Sequence, residues 1–315
     1  CYILKRRSRH GRANEAGAMI WGELAALGTA VCWSFTAIFF SYAGRRVGAD
    51  VVNRSRLLFA FLYLLVAHRL LQGAFLPSGV EPFRWGWLGV SSLLGLVLGD
   101  AFLFRAYVLI GPRLSMLMMS TVPIFSVLFG RLLFNEAITG LETAGILLAV
   151  AGIAWVVTEG QSSDEPANQR QHRRGLLFAL LGALGQVTNL VAARYALVGD
   201  FPTLSATLIR IGIALVVLWG MAAVRGQAGP TLRQWRDSRA LRAIMAGAIV
   251  GPFLGIWLSL VAVQNARLGI ASTLMALPPV LLIPLAFAAF RQRVSRRGIA
   301  GTAVALAGVA LLFWR

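Results

Sequence analysis

The chain has 315 residues, of which 58% are hydrophobic and only 13% are charged. A soluble domain is about half apolar and about a quarter charged, so this composition excludes an ordinary soluble protein. A disordered chain and a disulfide scaffold are excluded too, because the apolar content is high and there are only two cysteines. The net charge of +18 comes almost entirely from arginine. The arginines stand in short clusters between apolar runs, which is typical of membrane-protein loops and not of a nucleic-acid-binding surface.

Ten apolar segments follow one another along the chain, each close to the length of about 20 residues that a bilayer-spanning helix needs. The segments cover residues 22–42, 51–71, 86–109, 113–134, 139–158, 175–197, 203–224, 241–264, 268–290 and 297–314. Turn and charge signals separate them, as at Gly111-Pro112-Arg113 and Asn135-Glu136. We therefore predict an all-α polytopic protein of the cell membrane, with ten transmembrane helices and no separate catalytic domain.

The two halves of the chain match when the sequence is shifted by 156 residues. The coincidences are Gly95 with Gly251, Gly99 with Gly255, Pro123 with Pro279, Phe134 with Phe290, Gly145 with Gly301 and Gly152 with Gly308. Chance similarity between helices rich in Gly, Ala and Leu is the alternative, but it explains the shared register poorly. Because each half has an odd number of spans, five, the second half enters the membrane from the opposite side. This predicts an inverted repeat around a site near the midplane.

A fully polar segment at mid-chain, QSSDEPANQRQHRR, separates the halves. It divides the chain into a first repeat over residues 19–158, a linker over residues 159–174 and a second repeat over residues 175–315. Residues 1–18 form a basic N-terminal tail. We interpret this tail as non-native, because the first apolar run begins at Met19.

Several short motifs resemble those of a known family. They are Cys32-Trp33-Ser34, Met118-Met119-Ser120-Thr121-Val122-Pro123, Asn135-Glu136, Gly145 and Gly152 in the first half, and Leu277-Pro278-Pro279-Val280, Gly301 and Gly308 in the second. In order and spacing they resemble the EamA half of the drug/metabolite transporter superfamily. The resemblance implies a secondary transporter, commonly an exporter, of amino acids, drugs or other small metabolites. In one departure, the family's Glu after the fourth span is kept as Glu136 but replaced by Gln292 in the second half.

Three charged residues inside the predicted spans are candidates for function, because charge within a bilayer is costly and requires a partner or a wet cavity. Asp100 is interpreted either as a proton-coupling or cation-binding group, or as the partner of an arginine from another span, Arg56 or Arg210. We predict the pairing, because an unpaired carboxylate would tend to neutralise and the equivalent residue in the second half is Ile256. For Arg56 and Arg210 themselves the interpretations are binding of an anionic substrate group, gating of an entrance, or snorkelling of the side chain to the headgroups.

Polar and aromatic residues within the spans are candidates for the lining of a central cavity between the halves. Gln186 and Asn189 share a helix face and bond either a substrate or a neighbouring helix. Three aromatic side chains form the cavity walls or else serve in packing: Trp33, Tyr107 and Trp257.

Small residues and prolines have structural interpretations. Four glycines are predicted to allow close helix packing: Gly95, Gly99, Gly251 and Gly255. Three prolines are predicted to break helical hydrogen bonds within spans, either as bends at the cavity and rocking points or as simple kinks: Pro123, Pro278 and Pro279. The three histidines, His10, His68 and His172, are assigned to tails or loops.

The sequence contains no phosphate-binding loop, metal-ligand cluster or nucleophile–base pair, so we predict no cofactor, no metal and no enzymatic activity. An intramembrane enzyme and a channel-like protein are the alternatives. The predicted partners are a small-molecule substrate and the lipid bilayer, not nucleic acid, and a monomer is favoured over an obligate oligomer. Orientation stays open. Arginine clusters in the odd-numbered loops favour both termini outside, whereas the basic tail and the family resemblance favour them inside.

Overall fold

The computed structural model describes residues 9–158, 169–278, 280–281 and 296–313. Within these ranges the chain forms helices joined by short turns, without β-strands. The helices are α1 Arg9–Val47, α2 Ala49–Gln72, α3 Pro82–Ser92, α4 Asp100–Met119, α5 Val122–Phe134, α6 Gly140–Thr158, α7 Gln169–Ala196, α8 Thr203–Val224, α9 Ala228–Arg233, α10 Ser238–Ala248, α11 Ile256–Asn265, α12 Leu268–Met275 and α13 Arg296–Phe313. Two π-helical segments, π1 Leu93–Gly99 and π2 Ile249–Gly255, join α3 to α4 and α10 to α11.

Six helical spans among the described residues are long and apolar enough to cross a membrane. They are Gly17–Val47, Ala49–Gln72, Pro82–Leu103, Gln169–Ala196, Thr203–Val224 and Ser238–Asn265. Three shorter apolar helices accompany them: Val122–Phe134, Gly140–Trp155 and Arg297–Phe313. The prediction of an all-α polytopic membrane protein is confirmed. The number of ten spans stays a prediction, because most of the second half of the ninth segment lies outside the described residues.

One predicted helix boundary is wrong. The sequence predicts a break at Gly111-Pro112-Arg113, but α4 runs through these residues and ends at Met119. Membrane helices tolerate a proline because neighbouring groups bind the carbonyl that loses its backbone hydrogen bond. The break lies instead at Ser120 and Thr121, before α5.

The structure places two of the three predicted kink prolines at the starts of helices, each just after a break, and the bends themselves stay a prediction. Pro123 is the second residue of α5, and Pro278 is the first helical residue after a break at Ala276 and Leu277. In the first turn of a helix a proline lacks only an N–H that would have no intrahelical partner, so a helix start is a favourable position for it. Pro279 lies outside the described residues.

The structure repeats with the same 156-residue spacing as the sequence. π1 and π2 are both seven residues long and begin 156 residues apart. The breaks before α5 and after α12 keep this spacing. Because π-helical turns are rare, their recurrence at equivalent positions indicates one local structure encoded twice.

Matching elements of the two halves pack against each other. α2 contacts α8 and α6 contacts α13, while α1 packs along α10 and α11 as α7 packs along α3 and α4. α5 also contacts α12 of the other half, although these two are not equivalent in the repeat. The main cluster of buried side chains crosses between the halves and includes Ala26, Ile153, Ala183 and Leu274. Lipid tails are as apolar as these side chains, so close van der Waals packing holds the halves together.

Glycines bring α6 and α13 into backbone contact. A β-carbon on Gly152 would lie 2.3 Å from the backbone nitrogen of Ala305, and one on Gly308 would lie 2.4 Å from that of Ala149. The obstructing atoms belong to the backbone and have no rotamer to change. The contact between these two helices therefore depends on the absence of a side chain at both glycines.

Gly152→Val and Gly308→Val should each push α6 away from α13 and destabilise the protein by about 1–3 kcal/mol, as over-packing of an interior does. The measurement is the midpoint of thermal unfolding of the purified protein in detergent. Gly220→Val is the control, because Gly220 is helical and a β-carbon there would meet nothing within 4 Å. Equal midpoints for the Gly152 and Gly220 variants would contradict this packing account.

Candidate functional site

Asn189 is the centre of a buried polar cluster inside the helix bundle. Its Oδ1 accepts hydrogen bonds from the Ser91 hydroxyl at 2.7 Å and from Nη2 of Arg210 at 2.5 Å. Its Nδ2 donates to Oε1 of Gln186 at 2.7 Å. We call these four residues the Asn189 cluster. Arg210 is only 2% exposed, so it does not snorkel to the headgroups, and that interpretation of its sequence position is wrong.

Local geometry allows this cluster to form. Gln186 and Asn189 are three residues apart on α7 and share a helix face. Gly95 of π1 faces Asn189, and a β-carbon on Gly95 would lie 2.5 Å from Cγ of Asn189. The Ser92 hydroxyl donates to the backbone carbonyl of Arg210 at 2.7 Å and ties α3 to α8. A side chain at Gly95 would expel Asn189 and break the cluster.

Asp100 and Arg56 form an ion pair between α4 and α2. Nη2 of Arg56 lies 2.8 Å from Oδ2 of Asp100, and its Nε donates to Oδ1 of Asn53 at 2.9 Å. The guanidinium carbon also lies 5.7 Å from the centroid of the Phe40 ring. The two side chains are 18% and 20% exposed, so the pair is not sealed inside the bundle. The partner of Asp100 is therefore an arginine from another span, as predicted, and that arginine is Arg56.

The aromatic candidates lie in different surroundings. Trp33 of α1 packs with the main buried cluster and faces Gly255. Trp257 packs with a second apolar cluster, and its Nε1 donates to Oγ1 of Thr203 at 3.0 Å. Tyr107 lies in α4, and its side chain is outside the described part of the chain. The described contacts therefore link neither tryptophan directly to the Asn189 cluster.

The four glycines of the repeated pairs each face a helix from the other half of the chain. Gly95 and Gly99 lie against α7, and Gly251 and Gly255 lie against α1. A β-carbon on Gly251 would lie 2.7 Å from the Thr36 side chain. Both halves thus use the same pair of glycines to admit a neighbouring helix.

Two further ion pairs join the halves at the ends of helices, and the sequence alone predicts neither pairing. Glu136, in the turn after α5, lies 2.7 Å from Nη1 of Arg194 in the last turn of α7 and accepts the backbone N–H of Leu268 at 2.9 Å. Burial raises the pKa of Glu136, and the Arg194 guanidinium opposes this rise. Glu142, at the start of α6, pairs with Arg267. The sequence shows the charges but not which of them meet, because each pair closes a long stretch of chain.

His68 does not lie where the sequence predicts it. It lies in α2, not in a tail or loop, and is only 2% exposed. Its Nδ1 is 2.6 Å from the carbonyl oxygen of Ala74, which can only accept, so Nδ1–H donates to it, and its Nε2 forms a hydrogen bond with the Ser205 hydroxyl at 2.9 Å. This histidine attaches the loop after α2 to the start of α8.

Asp237 caps the start of α10, close to the end of α1. Its Oδ1 accepts the backbone N–H groups of Arg239 and Ala240, each at 3.1 Å, and its Oδ2 lies 2.8 Å from Nε of Arg46. The hydrogen bond from Ala240, followed by that from Arg46, lowers the pKa of Asp237. The cap is therefore ionised at neutral pH and holds the end of α1 against α10.

Two surface recesses of about 450 Å³ each lie away from the Asn189 cluster. One lies beside the turn at Gly48, and the other is an apolar groove beside α2 and α8, lined in part by Phe61, Trp85 and Gly212. Neither is lined by a member of the cluster. Among the described residues, no group of three or more His, Cys, Asp or Glu is placed to hold a metal ion.

Comparison with proteins of known sequence identifies relatives over most of the chain. A transporter of Archaeoglobus fulgidus, itself uncharacterized, is 22% identical over 295 residues, which are 92% of this chain and 96% of the relative. An uncharacterized transporter of Synechocystis sp. is 30% identical over 119 residues, which are 36% of this chain and 35% of that protein. Both relatives are named as transporters, without a substrate.

Comparison with solved structures shows the same fold. One crystal structure, 21% identical in sequence, superposes with a TM-score of 0.75 and covers 93% of this chain and 96% of its own. The profile of the EamA-like transporter family matches twice, over residues 20–158 and over residues 173–314. Because these two matches together span most of the sequence, the chain belongs to the EamA-like transporter family, within the drug/metabolite transporter superfamily.

Proposed function

We propose that this protein is a secondary transporter, and specifically an exporter, that moves small metabolites such as amino acids or drug-like compounds by alternating access through a central cavity. Family membership makes it a multi-pass membrane transporter. The observation that carries the finer proposal is the Asn189 cluster, in which polar side chains from both halves meet inside an apolar helix bundle. Polar groups in such positions line substrate and ion pathways.

The proposed mechanism rests on an inverted repeat of five spans in each half. The 156-residue spacing of π1 and π2 and the pairing of matching elements support it. We assign the first repeat to residues 19–158, the linker to residues 159–174 and the second repeat to residues 175–315. Rocking one half against the other would expose a midplane site to each side in turn. One chain supplies both halves, so a monomer suffices for this mechanism.

The proposed cavity is lined by Gln186 and Asn189, with Trp33, Tyr107 and Trp257 as aromatic walls. Gln186 is the partly exposed member of the Asn189 cluster, whereas Asn189 is buried. A solute approaching the cluster would therefore meet Gln186 first. The amides supply hydrogen bonds and the aromatic rings supply an apolar surface, a combination common in small-molecule sites.

Reconstituted in liposomes, the purified protein should take up at least one member of a panel of radiolabelled amino acids and drug-like compounds, with saturable kinetics and competition by unlabelled compound. Saturation is expected because alternating access presents one site per cycle. Asn189→Leu, compared at equal amounts of folded protein, should lower this uptake by at least about tenfold, because it removes the hydrogen bonds of the cluster.

Protein-free liposomes and the Gly220→Ala variant are the controls for this assay. Flux that rises linearly with concentration would indicate a channel, and chemical conversion of the compound would indicate an intramembrane enzyme. Either result, or the absence of uptake of every compound, would overturn the proposed function.

We also propose that Asp100 is ionised and held by Arg56 and does not carry a proton. Asp100→Asn should then reduce the yield of folded protein by stranding the Arg56 charge, at a cost of about 1–3 kcal/mol. The cost lies below that of a fully sealed pair, since about a fifth of each side chain is exposed. Adding Arg56→Gln should restore part of the yield, measured by size-exclusion chromatography. An Asp100→Asn variant that folds normally but transports without pH dependence would instead identify the proton-coupling group.

We propose that the arginine-rich face of the bundle is cytoplasmic. This face comprises the end of α1, the starts of α7, α10 and α13, and the segment 225–237. Its exposed arginines are Arg45, Arg46, Arg170, Arg173, Arg174, Arg225, Arg233, Arg236, Arg239, Arg242 and Arg297. On the opposite face, the exposed arginines of the described chain are Arg69 and Arg131, while three others pair with glutamates there. The positive-inside rule then places both termini outside.

A C-terminal reporter tests this orientation. Alkaline phosphatase fused after residue 315 should be active, because α13 ends on the face opposite the arginines, and the same enzyme inserted at residue 230 should be inactive. A fluorescent protein at the two positions should give the reverse pattern. A fluorescent C-terminal fusion paired with inactive phosphatase at that position would reverse the assignment.

A further inference from the structure

Arg210 is a buried cation with no carboxylate partner among the described residues. Its Nη2 donates to the neutral Oδ1 of Asn189 at 2.5 Å, while its Nε, which is also buried, donates to no described atom. Removing a charge from water without a counter-charge is strongly unfavourable, more so within a bilayer. An ionisable residue in this situation marks a functional site, because a ligand can supply the missing charge.

Three other arginines, inside the bundle or at helix ends, form an ion pair with a carboxylate. Arg56 pairs with Asp100, and Arg194 and Arg267 each pair with a buried glutamate. Arg210 is more deeply buried than any of these three. It is therefore the arginine with the greatest need of a counter-charge, and the described residues do not provide one.

The repeat shows where a carboxylate would have stood. Arg210 lies seven residues after the start of α8, as Arg56 does after the start of α2. Ile256 follows π2 as Asp100 follows π1. Ile256 is 9% exposed and belongs to the same apolar cluster as Leu208 of α8. The second half thus keeps the arginine of the pair and has an apolar side chain in place of its carboxylate.

The groups that remain unused around Arg210 are hydrogen-bond donors. Oδ1 of Asn189 accepts from Ser91 and from Arg210, and Oε1 of Gln186 accepts from Asn189. Nε–H of Arg210 is buried without a partner among the described residues, and the amide NH2 of Gln186 is a second donor in the cluster. Donors beside a positive charge bind an anion, and a guanidinium matches a carboxylate in bidentate geometry.

We propose that Arg210 binds the carboxylate of the transported substrate, with Gln186 as a second donor. One uncompensated positive charge selects one negative charge. A doubly charged phosphate ester would need a second free cation, and the nearest candidate by symmetry, Arg56, is already paired with Asp100. Arg210 is sealed in this structure, so the carboxylate reaches it when the halves move apart. This inference rests on the proposed transport function and narrows it to substrates that carry a single carboxylate.

The first experiment separates a binding role from a structural one by thermal unfolding in detergent. Arg210→Met strands no carboxylate, and Oδ1 of Asn189 keeps its bond from Ser91, so the unfolding midpoint should stay within about 3 °C of the wild-type value. Arg194→Met is the matched control. It strands the buried Glu136 and should lower the midpoint by at least about 5 °C. An equal fall for Arg210→Met would assign Arg210 a structural role and overturn the proposal.

The second experiment measures uptake into liposomes of three acids, each with its matched amide: L-phenylalanine and L-phenylalaninamide, phenylacetate and phenylacetamide, isovalerate and isovaleramide. Any compound that the transport panel identifies joins them, with its own amide. The wild-type protein should take up an acid and not its amide. Arg210→Met should lower uptake of that acid by at least about tenfold, and Arg210→Lys should lower it less.

Ile256→Asp provides an independent test, because it supplies the second half with the carboxylate that the first half has. The new aspartate should pair with Arg210, preserve folding and abolish uptake of the acid. Transport of a compound without an acidic group, or uptake of an acid that survives both Arg210→Met and Ile256→Asp, would overturn the carboxylate site while leaving transport intact. If the wild-type protein moves no compound at all, the transport proposal itself fails.

Discussion

Polar groups inside a lipid-embedded helix bundle have no water to bind, and this constraint organises the interior of the protein. Ser91 and Asn189 satisfy each other across the two halves of the chain, and Glu136 satisfies the first backbone N–H of α12. Each such bond adds little net free energy to folding, but a buried polar group left unpaired would be costly. The bonds therefore act mainly by fixing the positions of the helices that carry them. Polar groups are therefore few, and they fix which helices are neighbours.

The glycines make those polar contacts possible. Asn189 bonds Ser91 and Arg210 because Gly95 has no β-carbon to obstruct it, and Trp33 approaches π2 because of Gly255. Without a hydrophobic driving force between helices in lipid, surface complementarity at short range has to hold the bundle together. The π-helical segments place the glycines of each half on the face that meets the other half, so backbone conformation and packing depend on the same short segments.

The sequence predicts those features of this fold that depend on composition and spacing. The apolar segments and the 156-residue register need only local patterns, as does the recurrence of Gly95 and Gly251. Tertiary choices are harder to predict. Whether Pro112 breaks a helix or lies within one depends on neighbours that can satisfy a freed carbonyl, and which glutamate meets Arg194 depends on how the chain closes. For Asp100 the sequence predicts an arginine partner from another span without deciding which arginine supplies it.

The backbone repeats more faithfully than the chemistry that it carries. Asn189 and Trp33 occupy equivalent positions, as do Asp100 and Ile256, and in each case one half is polar where the other is apolar. Two identical halves would surround the midplane with duplicate charge pairs and offer a substrate two equivalent orientations. Replacing one carboxylate by isoleucine leaves a neutral pair on one side and an unpaired arginine on the other. In the proposed site this asymmetry gives the cavity a single anion-binding end, so that a carboxylate substrate is held in one orientation while the symmetric scaffold moves around it.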